Sequence, residues 1–170
     1  AEDIALNKKL TVQETNPKSL DQAVHNILLG MELISVVENA YEEIASILSQ
    51  VKYWVSSSLE SNSENAQISD LETRISLKLK VLDQVAETFK HKGQKLLDGS
   101  MSASAKTESH CFLIVGANGS PENRINLNTS LNIPSINSNT LGLGELSVSS
   151  PQIGLKGLMV LENALAITTR

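Results

Sequence analysis

Between Leu20 and Val55 the apolar residues Ile27, Met31, Ile34, Val37, Tyr41, Ile44, Leu48, Val51 and Val55 recur at alternating gaps of three and four. That spacing draws one apolar stripe down one long helix. At about 1.5 Å per residue this helix would run roughly 54 Å, far beyond the about 11–12 residues of an average globular helix. A mean repeat near about 3.5 asks for lengthwise packing against other long helices. The stripe therefore predicts a rod, with Met31 and Leu48 alike in its core. Gly30 is the one helix-weakening residue inside it, costing about 1 kcal/mol against Ala.

The rest of the chain is read from the same alternation of pattern and breaker. Ala1–Gln13 has Ile4, Leu6, Leu10 and Val12 in a weak helical pattern. Pro17 then forces a break, and Ser19 is placed to cap the helix at Leu20. Ser56–Ser63 reads as a polar loop into which the helix can run a few residues. A second helix is expected over Ile68–Phe89, striped by Leu71, Ile75, Leu79, Leu82, Val85 and Phe89. Ser69 or Asp70 would cap it, Ser69 with Glu72 as a capping box. Gly93 and Leu96–Ser100 stop it and turn the chain.

From Met101 the period changes. Cys111–Val115 is a β run, Gly116–Pro121 is turn-rich, and Arg124–Asn128 alternates, which together predict a hairpin. Pro134–Leu146 reads as loop with one more short strand. Pro151 opens a last helix, Ile153–Thr168, with Leu155, Leu158, Leu161 and Leu165 on one face. The fold expected is mainly α with a small β part: an elongated antiparallel helical rod of a long N-terminal helix, a second helix and a C-terminal helix, with a β-hairpin region between. The divisions follow as 1–19 (helical segment and breaker), 20–100 (long helical hairpin), 101–150 (β-hairpin and loops) and 151–170 (rod helix).

Composition narrows what such a rod can do. Aromatics are 3% of the 170 residues against 41% hydrophobic overall, so Leu, Ile and Val must carry the packing. A formal charge of −5 and a pI near 5.2 argue against nucleic acid, which rewards basic faces. No apolar run is long enough for a membrane span, and the start Ala1–Lys9 has no signal-peptide core. With Cys111 alone there is no internal disulfide framework, and that thiol reads as a small buried hydrophobe.

Candidate chemistry is sparse. His25, His91 and His110 are scattered, without an HExxH or Cys/His cluster, and read as solvated or capping residues. No GxSxG or Ser/His/Asp arrangement is present. Gly116, Gly119, Gly142 and Gly144 make neither a GxGxxG fingerprint nor a P-loop. Asn118-Gly119-Ser120 and Asn128-Thr129-Ser130 are sequons, the first explained equally by turn chemistry. No enzyme, metal or cofactor is expected.

Several segments, taken in order, resemble the bacterial flagellins. Leu20–Asn26 followed by Gly30–Ile34 is similar to the family's LNQAxRNANDGIS helix start, and Val37–Ile44 to its TxEGALxEI continuation. Phe89–Gly99 resembles TxFNGxKLLDG, Val115–Asn118 its VGAN turn, and Ile136–Leu143 its INSxTLGL segment. Leu161–Leu165 fits the descending C-terminal helix. The resemblance covers Leu20–Arg170 and implies a filament-core domain without the axial terminal segments and the variable outer domain. Asn16-Pro17-Lys18 departs from it, as does a cysteine.

The function so implied is a secreted structural subunit of the extracellular flagellar filament, self-assembling for motility. Its partners would be other flagellin subunits and the flagellar type III export apparatus. The alternatives are a hook–filament junction protein, or a secreted flagellin-like module that binds a host or partner protein. The family's LQRVRELAVQ face, gripped by a flagellin-sensing Toll-like receptor, falls here on Leu48–Ser57. Ser49, Gln50, Lys52, Trp54, Ser57, Leu71 and Arg74 are the receptor- or subunit-facing candidates. The resemblance puts Gln50 where the family has Arg and Arg74 where it has Glu, which implies weak receptor binding.

Overall fold

The computed structural model describes residues 20–60, 65–116 and 120–169. The expected Ala1–Gln13 segment, the Pro17 breaker and the Ser19 cap lie outside these residues. The elements in order are α1 (Leu20–Glu60), α2 (Asn65–Thr88), β1 (Lys90–His91), β2 (Gln94–Lys95), β3 (Phe112–Ile114), β4 (Arg124–Asn126), α3 (Leu127–Leu131) and α4 (Pro151–Thr168). The fold is thus mainly helical, with three long helices and two small antiparallel hairpins among the described residues. Among the described residues the chain forms two compact units, one from residues 20–38 with those of 89–135 and one from those of 39–88 with those of 136–169.

In the first unit, strand β3 covers α1 on the side that carries small and polar residues. Ala23, Asn26, Gly30 and Leu33 are buried there. A Cβ on Gly30 would meet the Leu113 side chain at 2.7 Å, and the Asn26 amide donates to the Ile114 carbonyl at 3.0 Å. Close approach of a strand to a helix needs small residues, so the expected stripe is displaced here. Ile27, Met31 and Ile34 are exposed, and Met31 keeps 60% of its surface. Gly30, read as a weakness of the helix, is what lets the strand dock.

Past α2 the chain turns through a hairpin that the pattern did not predict. The helix ends at Thr88, one residue before the expected Phe89, and β1 pairs with β2 through Lys90↔Lys95 and His91↔Gln94. Lys92 and Gly93 form the two-residue turn at φ +49° and +83°, the left-handed geometry that such a hairpin requires. Leu96, Leu97 and Met101 follow, all buried. Asp98 accepts from the Ser100 N–H at 2.9 Å, and Gly99 sits at φ +87° against Ser135.

β3 pairs antiparallel with β4, Phe112↔Asn126 to Ile114↔Arg124, as the alternation predicted, but both strands are shorter than the expected Cys111–Val115 and Arg124–Asn128. Asn126 caps α3 by accepting from the Thr129 N–H. Its amide also donates to His110 Nδ1 at 3.0 Å, while His110 Nε2 faces the Ala105 carbonyl at 3.1 Å. Asn128 is wholly buried. It accepts from the Cys111 N–H at 2.8 Å and donates to the carbonyls of Ser100 and Ser102 at 2.8 and 3.0 Å. With its amide so engaged, Asn128 is closed to glycosylation in the folded state, and Cys111 is buried beside it.

The reading of the histidines as solvated or capping fails at His91. It is buried, and its Nε2 has no hydrogen-bond partner among the described residues. Burial lowers its pKa below 6.5, with Glu32 pulling it up and Lys92 adding to the decrease. The unfolded chain therefore takes up this proton first, so stability held above about pH 6.5 declines as pH falls through and below that value. Amide exchange of Leu96, which closes the hairpin onto Phe89, should be faster at pH 5.5 than the intrinsic pH trend accounts for. His91→Gln should remove that excess; an unchanged excess would assign it to another group.

In the second unit the stripe lies where the spacing put it. Val55, Val51, Leu48, Ile47 and Ile44 of α1 are buried, as are Ile75, Leu79, Leu82 and Ala86 of α2. α1 extends beyond Val55 to Glu60. The Ser57 and Ser58 hydroxyls donate back to the carbonyls of Tyr53 and Val55, and Leu59 packs over Gly154. α2 begins at Asn65, so Ser69 and Asp70 lie inside it instead of capping it. α4 is capped by Ser150, which accepts from the Ile153 N–H. Its buried face is Gly154, Gly157, Leu161, Ala164 and Thr168; of the expected leucines Leu161 lies on it, Leu158 and Leu165 are half-buried, and Leu155 is exposed, so the face is shifted toward the small residues. The offset has the same cause as in α1: Gly157 admits Val55 and Leu146 to within contact of the helix backbone.

Candidate interaction surface

The seven candidate residues all lie in the second unit, five on α1 and two on α2. With 3.6 residues per turn, Gln50, Trp54 and Ser57 share one flank of α1, while Ser49 and Lys52 fall on the other. Ser49 and Gln50 are exposed; Lys52, Trp54 and Ser57 are half-buried. Lys52 Nζ pairs with the Glu162 carboxylate of α4 at 3.0 Å, so it ties helix to helix. On α2, Leu71 is half-buried and Arg74 exposed. The Arg74 guanidinium pairs with Asp70 one turn earlier at 2.8 Å. The structure thus groups Gln50, Trp54 and Ser57, and separately Leu71 and Arg74.

Two carboxylates of α2 that sequence reasoning missed order the segment between Ile136 and Val148. Asp83 accepts from the Ser138 N–H at 2.6 Å and its hydroxyl at 2.8 Å. Glu72, eleven residues earlier and so on the same flank, accepts from the Ser147 hydroxyl and from the Val148 N–H at 2.9 Å. This is where the expected capping-box Glu is used. Around the first anchor Asn137 and Thr140 bond reciprocally, side chain to N–H in both directions, and Gly142 turns the chain at φ +73°. Ile136, Leu141, Leu143 and Val148 are buried by this clip. The short strand expected here is replaced by turns because side chains, not a neighbouring strand, satisfy its backbone. The spacing of eleven between acidic residues beside the α2 stripe was the available signal. Asp83→Ala should cost about 2 kcal/mol, the scale of losing charge-assisted bonds, and free Ser138 and Leu143 amides to exchange. Protection unchanged at both would show the clip stands without Asp83.

Charge is distributed unevenly over the surface. Leu20–Gln50 contains Asp21, Glu32, Glu38, Glu42 and Glu43 and not one Lys or Arg. α2 instead mixes the two signs, with Arg74, Lys78 and Lys80 beside Asp70, Glu72, Asp83 and Glu87. No cluster of three His, Cys, Asp or Glu that could hold a metal ion occurs among the described residues. No helix among them is long and apolar enough to cross a membrane.

Residues 5–102 match the bacterial flagellin N-terminal helical region, a stretch that contains α1, α2 and the first hairpin. The chain is also similar to the flagellar filament 30.7 kDa core protein of Treponema maltophilum, with 25% identity over 179 aligned positions. That alignment takes in 97% of this chain and 58% of the relative. The chain therefore spans rather more than half the length of that protein.

Proposed function

The chain belongs to the bacterial flagellin family, and from that premise we propose that it is a structural subunit of a flagellar filament, without enzymatic activity. The observation that carries this is the family match over residues 5–102, which falls on the helices that expose apolar faces. The name of the Treponema relative points the same way. Contacts between unlike faces that do not close into a ring build open helical arrays. The subunit is secreted, passes the flagellar export apparatus and resides in the extracellular filament. Immuno-electron microscopy with an antibody to this chain should label flagella along their length. Labelling confined to the joint with the hook would favour the junction-protein alternative, and none on flagella would leave a secreted binding module.

We propose also that a flagellin-sensing Toll-like receptor binds this protein weakly. Gln50 offers no guanidinium fork to a partner carboxylate, and Arg74, occupied by Asp70, presents the opposite charge to the Glu that the family resemblance puts there. Gln50→Arg together with Arg74→Glu should raise receptor signalling about tenfold or more, as an interface gain of one well-placed charge pair would. Strong signalling by the natural chain would refute the proposal.

A further inference from the structure

The three histidines of the chain, His25, His91 and His110, all belong to the first unit, and residues 39–88 and 136–170 contain none. Histidine is the side chain whose ordinary change of charge falls between about pH 5 and 8. Two of the three sit in surroundings that fit the neutral ring. His91 on β1 is 4% exposed, and its Nε2 has no hydrogen-bond partner among the described residues. A charged ring there would bury a cation whose Nε2–H finds no acceptor. Loss of solvent is the largest influence against that charge; Glu32 of α1 partly offsets it, and Lys92 of its own turn adds to it. Lys90 and Lys95 stand opposite each other across the same hairpin, and like charges so placed weaken a strand pair.

His110 is half-buried just before β3, and its contacts fix the tautomer. Asn126 Oδ1 is committed to the Thr129 N–H, as the cap of α3. Its amide nitrogen is therefore what faces His110 Nδ1 at 3.0 Å. An amide nitrogen only donates, so Nδ1 is the bare acceptor. Nε2 then carries the hydrogen directed at the Ala105 carbonyl, 3.1 Å away. A further proton on Nδ1 would set donor against donor, and turning the Asn126 amide over to relieve that clash would uncap α3. The charged side chains on the segments packed against this ring are Lys106 and Glu108 before it and Arg124 on β4. Both ring nitrogens are taken by uncharged partners.

We propose that His91 and His110 form an acid-operated switch confined to the first unit: as pH falls from about 7.5 to about 5.5, protonation of the two rings opens the β1–β2 hairpin and the β4–α3 junction while the second unit keeps its fold. Such opening is local unfolding of one cooperative part of a chain. The hairpin is closed by the Leu96 N–H on the Phe89 carbonyl, and the junction by the Leu127 N–H on the Cys111 carbonyl, so these amides report the two sites. His25 is exposed on α1 and takes no part. The switch is independent of the filament reading and stands or falls without it.

Amide exchange of the full-length chain, corrected for the intrinsic effect of pH, reads each unit separately. From about pH 7.5 to about 5.5, protection of Leu96, Leu127 and Thr129 should fall by up to about tenfold for each ring, because one unit below about 6.5 roughly ten of every eleven opened copies carry the proton. Leu48 of α1 and Leu82 of α2, both buried in the second unit, should keep theirs. His91→Gln with His110→Gln should abolish the response, and His25→Gln should leave it whole. Glu32→Gln removes the charge that favours the proton on His91 and should enlarge the loss at Leu96. Ring nitrogen–proton correlations of the natural chain read the His110 tautomer directly and need no variant. A response that survives in the double variant, a loss spread equally over Leu48 and Leu82, or a His110 ring protonated on Nδ1 at neutral pH would each overturn the proposal.

Discussion

Replacing Asn128 by alanine should destabilise the first unit by about 3–5 kcal/mol, because each buried partner left without a hydrogen bond costs about 1–3 kcal/mol. Three such partners exist: the Cys111 N–H and the carbonyls of Ser100 and Ser102. They belong to the entry into β3 and to the turn after Leu97, so one side chain ties its own segment to partners 17, 28 and 26 residues away. Asn128→Asp is the sharper variant. It keeps the acceptor for Cys111 but turns both donors into a carboxylate oxygen facing two carbonyls, and should be no more stable than the alanine variant. Denaturant unfolding gives the energy, and exchange of the Cys111 amide locates it. A loss under about 1 kcal/mol for the alanine variant, the size of one ordinary hydrogen bond, would mean that water replaces the amide and the site is not closed.

Nothing in the sequence singles out Asn128. It stands inside a sequon in an alternating run, and both features suggest exposure. Its role follows from long-range pairing, which local periodicity does not encode. The same holds for Asp83 and Glu72, polar residues on a helix flank whose partners are backbone N–H groups of a distant segment. His91 was misread because an isolated histidine in a Lys- and Gly-containing stretch looks solvated, whereas the Lys92-Gly93 turn folds it inward. What was legible is what depends on period: the three long helices, the β3–β4 pairing and the buried stripe of the second unit.

α1 shows where periodicity stops being sufficient. Its sequence carries two parallel series at gaps of three and four, Ala23, Asn26, Gly30, Leu33 and Val37 beside Ile27, Met31 and Ile34. Hydrophobicity favours the second series, but the first is the one buried. A helix faces its strand with the residues that permit close approach, and a glycine and a hydrogen-bonding amide serve that better than bulk does. The larger side chains were thereby left on the surface. The seven candidate surface residues came from resemblance, and helical geometry divides them between flanks that a linear motif cannot distinguish.

That displacement sets up the last expected result, a contrast between two substitutions on the same helix. Leu48→Asp should unfold the second unit. Leu48 has no exposed surface, and truncating such a leucine costs about 2–5 kcal/mol. Burying a carboxylate in its place adds several more, about enough to exceed the 5–15 kcal/mol stability of an ordinary domain. Met31→Asp lies one stripe position after another along the same helix, yet it should change stability by only about 0.5–1 kcal/mol. Its side chain already faces solvent, and the loss is mainly helix propensity. Circular dichroism at neutral pH, with urea titration of whatever remains folded, separates the two. Equal collapse of both variants would mean that the Met31 face is covered within the single chain, and would restore the continuous stripe as the core.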